Sequence, residues 1–401
     1  MNLAHKIQLF PNIEQRIALA KAAGCARFTH NWGLAKWKEM YEARKGNNTL
    51  SAPSAFGLKK EFNKIKEVEF PWIYESPKDA NQQAFTNLGN AFKRFFKKES
   101  KYPKFKKKHE HDSFYISNDQ FSVDGFDVRL PVIGHIKMAE EIRFEGRILS
   151  ATVSKDVDVW YISFSIDATN AEVERKHTND LVGVDLGLTT FAVLSTGEEF
   201  ESPKPLRKNK DILARKQRSL SRRKMGSKRR DKQKVKVAKL HRKIRRIRSD
   251  FIHKTTSKIC SENQTIVIED LDIKKSMQDK QKAFGYSDAG LYEFKRQLIY
   301  KSKIYGNNIL VANKWFPSTK TCNECGWIDH GMTLSQRTFK CQNPECNYTN
   351  GRDLNASLNL YTLGYSEIYA RGHSASGVEQ TPSWMVEART GQAKITLSYT
   401  C

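Results

Sequence analysis

The chain has 401 residues, enough for two or three domains, and 39% hydrophobic residues with 11% aromatics can give each a core. Its 69 Lys and Arg against 44 Asp and Glu leave a formal charge of +25, far more than solubility needs, so a polyanionic partner is expected. The basic residues run through long segments rather than one amphipathic cluster, which favours nucleic acid over a membrane. No run approaches the roughly 18 apolar residues of a membrane span, and MNLAHKIQLFPNIEQ lacks a signal-like core, so a soluble cytoplasmic protein is expected.

LAHKIQLF reads as a strand ended by Pro11, and Asn12 with Gln15 three residues on forms a helix-capping pattern before Ile13, Ile17, Ala20, Gly24, Phe28 and Trp32. Helical periodicity continues to about residue 98 and ends in FKRFFKKESKYPKFKKK. There the aromatics can be core with solvated lysines, or Lys104, Lys106 and their neighbours can contact phosphates beside rings that stack on bases. From Ser113 to Ala168 the pattern alternates, with Asp124-Gly125 as a hairpin turn between FSVDGFDVRLPVI's two runs, and predicts an antiparallel sheet or small barrel. The helical block between the first strand and these strands therefore reads as an insertion into a β-domain.

LVGVDLGLTTFAVLSTGEEF predicts a buried strand that turns through glycines into a second. From Lys204 to Arg248 there are 22 Lys or Arg against two Asp, a net +20. Leu240, Ile244, Ile247 and Phe251 give one side of a long helix an apolar stripe, and SRRKMGSKRR reads as the turn between two antiparallel helices. Arg215, Arg222, Arg223, Lys224, Arg229 and Arg230 are candidate phosphate contacts, and a solvated charged hairpin is the competing reading. TIVIEDL predicts a strand, SDAGLYEFKRQLIYKSKIYG a helix capped by Ser287 or Asp288, and NILVANKWF another strand. From about Gly372 to Cys401 periodicity is lost and disorder is expected.

Seven cysteines are an odd number, and Cys322, Cys325, Cys341 and Cys346 crowd together while Cys25, Cys260 and Cys401 stand alone, so a disulfide framework is excluded. Cys25 and Cys260 read as small buried hydrophobes. TCNECGW and CQNPEC, fifteen residues apart, predict a four-cysteine zinc ribbon; the second pair is stretched to a four-residue spacing. A closed four-thiolate site leaves no position for substrate, so this zinc is expected to be structural.

Three carboxylates stand out by setting: Asp185 within an apolar strand, Glu269 at the end of TIVIE, and Asp353 opening DLNASLNLY. Singly, they can be a turn-former, a strand-end charge and an N-cap. Together they can converge on Mg²⁺ or Mn²⁺, and with the basic hairpin they predict a nuclease that hydrolyses phosphodiesters with two metal ions.

GVDLGLTTFAVLSTG, IVIEDL and GRDLNASLNL resemble the three motifs of a RuvC-type, RNase H-like nuclease. FPSTKTCNECG followed by FKC resembles the zinc ribbon between the last two motifs in TnpB proteins. IQLFPNIEQ, ARFTHNWGLAKW, PSAFGLKKEFN and NLGNAFKRFF extend the resemblance over nearly all of the chain except the tail. It implies a transposon-encoded, RNA-guided DNA endonuclease related to type V CRISPR effectors, with guide RNA from the transposon end and double-stranded DNA as partners, and a monomer with its RNA, a dimer being open.

The resemblance carries Asp185, Glu269 and Asp353 over as metal-binding catalytic acids. The implied fold is α+β and multidomain. A wedge-like β-barrel domain comprises 1–10 and 113–175, with a helical recognition lobe at 11–112 inserted in it. A RuvC-like α/β nuclease domain comprises 176–315 and 350–371, carrying a basic hairpin at 203–262; a zinc ribbon follows at 316–349, and a disordered tail at 372–401. Lys78, Gln82, Gln83 and Asn118 are candidate readers of a short DNA motif, against a reading as surface polarity. Arg352 is a candidate for the scissile phosphate or an outward surface arginine. The stretched cysteine pair and Gly351, where many relatives carry an acid, depart from the family's pattern. Cleavage to a 5′-phosphate is expected; an RNA-guided repressor, a strand-transfer transposase and a branched-DNA resolvase are the competing functions.

Overall fold

A computed structural model describes residues 2–168, 176, 178–280, 282–333 and 335–372. The expected disordered tail, Gly372 apart, and residues 169–175 at the end of the expected β-domain lie outside the described residues. The chain divides into two compact units, Met1–Glu172 and Val173–Cys401.

In the first unit β1 (Asn2–Phe10) is followed by α1 (Ile13–Gly46), α2 (Ala55–Glu69), a 3-10 turn at Pro71–Glu75 and α3 (Lys78–Phe96). Then come β2 (Ser113–Ser117), β3 (Ser122–Asp124), β4 (Asp127–Leu130), β5 (Gly134–Met138), β6 (Arg147–Asp156) and β7 (Val159–Asp167). The strands form one antiparallel sheet in the order β2-β6-β7-β1-β5-β4-β3, so the N-terminal strand sits at its centre although about a hundred residues separate it from the others. No pairing of β2 with β3 closes a barrel among the described residues. β5 was not predicted: GHIKM follows the loop after β4 and is too short to declare its period alone.

Asn12 and Gln15 make the predicted reciprocal cap, each side chain accepting from the other's backbone N–H. The predicted stripe of α1 packs at Phe28 and Trp32, against the helical core, but not at its start. Ile13 and Ile17 are 77% and 55% exposed, and Leu19, Ala22, Ala23 and Ala26 face the sheet instead. Further along α1, Leu34 and Trp37 pack against Leu58, Phe62, Phe85, Leu88 and Phe92 of α2 and α3. One long helix thus serves two cores, and small alanines allow close approach to the strands.

In the second unit β8 (Asn179–Leu186), β9 (Thr190–Leu194) and β10 (Glu199–Glu201) form an antiparallel meander, one strand more than predicted. α4 (Pro205–Lys208), α5 (Lys210–Ser221) and α6 (Lys228–Glu262) lead to β11 (Asn263–Glu269), which pairs parallel with β8. α7 (Ile273–Ser276), α8 (Ala283–Ala289) and α9 (Leu291–Tyr305) lead to β12 (Asn308–Ala312), parallel to β11. β13 (Thr338–Lys340) and β14 (Thr349–Gly351) form a small hairpin, and α10 (Arg352–Gly372) follows at once. The five-stranded sheet runs β10-β9-β8-β11-β12.

Strand periodicity sorts its two faces. Val182, Val184, Ile266 and Ile268 pack against Ile252 and Ile259 of α6 and Phe294 and Leu298 of α9. Leu181 and Val267, one residue out of phase, pack with Leu360 of α10. The predicted cap at Ser287 or Asp288 is replaced by Gly290, whose φ of 73° breaks the segment into α8 and α9. Asp288 is instead buried and accepts from the backbone N–H groups of Leu206 and Arg207, which start α4. Ile247, predicted on the apolar stripe of α6, is 37% exposed, because the helix turns from packing α5 through Val237, Leu240 and Ile244 to packing the sheet through Ile252 and Ile259.

Candidate active site and zinc ribbon

Asp185 and Glu269 share the parity of Leu181, Gly183 and Val267, so both point to the face of the sheet covered by α10. They stand one residue beyond the paired Val184 and Ile268, at the carboxyl ends of adjacent parallel strands. Asp353 lies in the first turn of α10. Three acids, 84 residues apart along the chain at each step, are thereby brought to one place.

Burial is the main cause that pushes the Asp185 carboxyl well above the usual range, and the charges of Glu269 and Asp353 add to it. Glu269 is also raised by burial, opposed by hydrogen bonds from Ser318 and Asp185. Asp353 Oδ1 accepts from Arg352 Nε and Nη2 at 3.0 and 2.9 Å, and Arg352 Nη1 donates to the Gln336 carbonyl at 3.0 Å. Burial thus favours the protonated forms of Asp185 and Glu269, a nearby cation would favour the ionised ones, and their hard oxygens suit Mg²⁺ or Mn²⁺. The three do not form a closed cage: Arg352 holds Asp353 to one side.

The four predicted cysteines form the single group of three or more acidic, His or Cys ligands among the described residues whose donor atoms all lie within 4.8 Å of one another. Sγ separations of 3.8 Å for Cys322 and Cys346 and 3.6 Å for Cys325 and Cys341 match the ~3.8 Å edge of a tetrahedron with Zn–S bonds of about 2.3 Å. Burial raises the Cys322 and Cys341 thiols above their ordinary value, a cost that a cation held by the four sulfurs would offset. The stretched pair is accommodated by a turn in which the Cys346 N–H donates to the Asn343 carbonyl. Cys25 and Cys260 are fully buried, their thiols pushed up to about 11 and about 12 by burial.

The residues that tie this ribbon to the acids were not anticipated. Asn355 and Asn359, both buried on α10, donate to the Thr321 carbonyl at 2.7 Å, and Asn359 also to that of Ser318. Ser318 in turn donates to Glu269 Oε1. The signal was present: N-A-S-L-N puts two amides on one helical face, where a buried side chain must find partners.

Among the basic candidates, Lys104 and Lys106 are exposed on a strap fastened to α1 by a pair of bonds between Asn31 and the Lys106 backbone. Phe92 in that region is core, whereas Phe96 and Phe105 are 64% and 50% exposed, so both readings of the aromatic stretch hold for different rings. Arg215, Arg222, Lys224 and Arg229 are exposed; Arg223 and Arg230 are half-buried. Arg215, Arg218, Ser219, Arg222 and Arg223 line an open cavity of about 530 Å³. Asp79 accepts from the backbone and hydroxyl of Ser117, which brings the start of α3, with Lys78, Gln82 and Gln83, to Asn118. Lys78 and Asn118 are exposed, Gln82 accepts from Lys59 at 3.0 Å, and Gln83 donates to Asn87 at 3.2 Å. Arg352 is neither outward nor free, with its side chain 13% exposed and both edges engaged.

No helix among the described residues is long and apolar enough to cross a membrane. Residues 162–280 match the family described as probable transposase, residues 292–360 the Cas12f1-like TNB domain, and residues 1–46 a helix-turn-helix domain. Over that last span the chain forms a strand and one unbroken 34-residue helix. A protein of Streptomyces pristinaespiralis named "Putative RNA-guided DNA endonuclease" is 32% identical, covering 90% of this chain and 89% of the relative. InsQ of Escherichia coli, given the same name, is 32% identical over 96% of this chain and 98% of its own. The solved structure of a Cas12f1–sgRNA–target DNA complex aligns with 86% of this chain and 83% of that one at a TM-score of 0.53 and 16% identity, a likeness of fold. The identity to full-length relatives, together with the matched domains, shows that the chain belongs to the TnpB family.

Proposed function

We propose that this protein is an RNA-guided DNA endonuclease of a transposable element, whose guide RNA pairs with DNA beside a short motif that the protein reads. The observation that carries the nuclease reading is the convergence of Asp185, Glu269 and Asp353, where burial disfavours the ionised forms of Asp185 and Glu269 unless a cation stands beside them. When bound there, a pair of Mg²⁺ or Mn²⁺ ions supplies activation of water and stabilisation of the leaving oxygen in phosphodiester hydrolysis.

Asp185 and Glu269 would hold the ions from strand ends, where backbone pairing fixes them. Ser318, through its hydroxyl on Glu269, and Arg352, through Asp353, set the orientations of the carboxylates. The cysteine quartet would hold zinc and keep the segment before α10 folded, since a four-thiolate shell is closed to substrate.

The basic hairpin of α5 and α6 would grip phosphates of RNA and its heteroduplex, as would the strap carrying Lys104 and Lys106, while base pairing supplies sequence specificity. The sheet of the first unit would serve as a barrel-like wedge domain and α1 to α3 as its recognition lobe, with Lys78, Gln82, Gln83 and Asn118 facing the DNA motif. We place the protein in the cytoplasm, acting as a monomer with its RNA.

The test is to copurify the protein with cellular RNA, sequence that RNA, and offer matched DNA with Mg²⁺. Cutting to 5′-phosphate ends is expected, and Asp185→Asn, Glu269→Gln and Asp353→Asn should each lower it by about three orders of magnitude. Variants that cut like the parent would remove the catalytic assignment; absence of a discrete RNA would remove the guided one. Matched binding without cutting would indicate a repressor, and strand joining a transposase.

A further inference from the structure

Trp315 is 83% exposed, the most exposed tryptophan among the described residues, in a protein whose other large aromatics are mostly packed. Burial accounts for almost none of it, so folding does not explain its presence. Its place is fixed on both sides. Ala312, three residues before, is the strand partner of Glu269, and Ser318, three residues after, donates its hydroxyl to the same Glu269. At the reach of an extended chain, Trp315 therefore lies within about 11 Å, Cα to Cα, of both anchors.

The loop is ordered rather than loose. The N–H of Trp315 donates to Asn313 Oδ1 at 2.9 Å, the N–H of Phe316 to the Asn313 carbonyl at 2.9 Å, and the Phe316 ring packs into the cluster of Leu181, Val267, Leu310 and Leu360. Phe316 thus anchors the turn from inside while its neighbour is held outward. Lys314 lies over the indole ring at 5.7 Å and is itself bonded to Asp272 at 2.9 Å, so a cation occupies one side of the ring and the rest is open.

An exposed ring on a hydrogen-bonded turn beside a cluster of carboxylates is suited to an unpaired base, because every nucleobase offers a π face and stacking tolerates any sequence. We propose that Trp315 is the stacking platform for an unpaired nucleobase of the DNA strand that enters the acid cluster, positioning the phosphate a few nucleotides away against Asp185 and Glu269. This rests on the nuclease reading above. Trp315 is a positioning residue: it holds the strand and takes no part in bond making.

The test uses the full chain with its copurified RNA and no added divalent metal. It measures binding of a fluorescent oligothymidylate and of the same strand with abasic sites, for the parent, Trp315→Ala, Trp315→Phe and Trp315→Leu. The alanine and leucine variants should bind oligothymidylate roughly 5- to 150-fold more weakly, the range that stacking on one aromatic residue spans, and phenylalanine should recover much of the loss. On the abasic strand all four should bind alike, and all should melt at the parent's temperature.

Equal binding of oligothymidylate by the parent and Trp315→Ala, no binding by the parent, or an equal loss on both strands would overturn the proposal. With Mg²⁺ and matched DNA, Trp315→Ala should raise KM more than it lowers kcat. If the parent cuts no DNA at all, the nuclease reading fails, while the binding comparison still decides the role of the ring.

Discussion

His30 sits on α1 with 6% of its surface exposed, its Nε2 3.4 Å from the Lys104 carbonyl and its Nδ1 without a hydrogen-bond partner among the described residues. Burial, reinforced by the charge of Lys106, pushes its pKa down to about 4 from the ordinary 6.5. The unfolded chain therefore takes up this proton at a higher pH than the folded one, and stability falls as the pH drops from about 6.5 to about 4, by at most roughly 3 kcal/mol for this residue. Urea unfolding at pH 7, 6 and 5 should show a shallower loss for His30→Asn than for the parent; identical slopes would mean that His30 does not carry the effect. His5 and His253, also lowered by burial, leave a residual slope. None of this was legible from the chain, where ARFTHNWG gives a histidine no sign of its surroundings. The same holds for Ser318 on Glu269 and for Asp288 under α4, whose partners lie 49 and more than 80 residues away. The acids and cysteines were legible because their chemistry is costly outside a specific setting.

At the scale of elements, the active-site geometry depends on how closely α10 lies on β8. A Cβ added at Gly183 would stand 2.1 Å from the Ser357 carbonyl oxygen and 2.5 Å from the Tyr361 nitrogen, both backbone atoms of α10 that cannot rotate away. A Cβ at Gly364 would stand 2.5 Å from Val267, so the helix is seated by glycines on the strand side and on its own. Gly183→Ala should therefore lower stability by about 1–3 kcal/mol and lift the first turn of α10 away from Asp185. A displacement near 1 Å at Asp353 should reduce DNA cutting by about a hundredfold, beyond what the loss of folded protein explains. Calorimetry and cleavage by the folded fraction check the two parts separately; wild-type cutting by a destabilised variant would show that the seat and the site are uncoupled. The strands carrying Asp185 and Glu269 were readable as apolar runs, but only alternation resolved in three dimensions shows that both acids face one helix. The split of α8 from α9 at Gly290 was misread because Ser287 and Asp288 resemble a cap, and the requirement for a left-handed residue is visible only in the fold.

For the whole molecule, charge is the dominant feature: the segment Lys204–Arg248 has 22 Lys or Arg against two Asp, net +20 of the total +25. Its arginines divide into two kinds. Arg230 Nη1 donates to the carbonyls of Leu220 and Arg223 at 2.8 and 2.9 Å, and Arg223 Nη1 to that of Arg229 at 3.3 Å, locking the turn between α5 and α6. Arg215, Arg218 and Arg222 surround the open cavity, and Arg223 forms part of its wall. An anion in that cavity would meet several guanidinium groups at once, the setting in which charge-assisted hydrogen bonds are strong. Replacing Arg215, Arg218 and Arg222 together by Gln should therefore weaken nucleic-acid binding, with the slope of log K against log salt reduced by about 2 to 3, and leave the melting temperature unchanged. Arg230→Gln should do the reverse, removing a helix-terminal clasp worth about 1–2 kcal/mol while changing the slope by no more than about 1. An unchanged salt slope in the triple variant would show that the polyanion is held elsewhere on the charged face, because three phosphate contacts cannot be lost without that many fewer counterions being released.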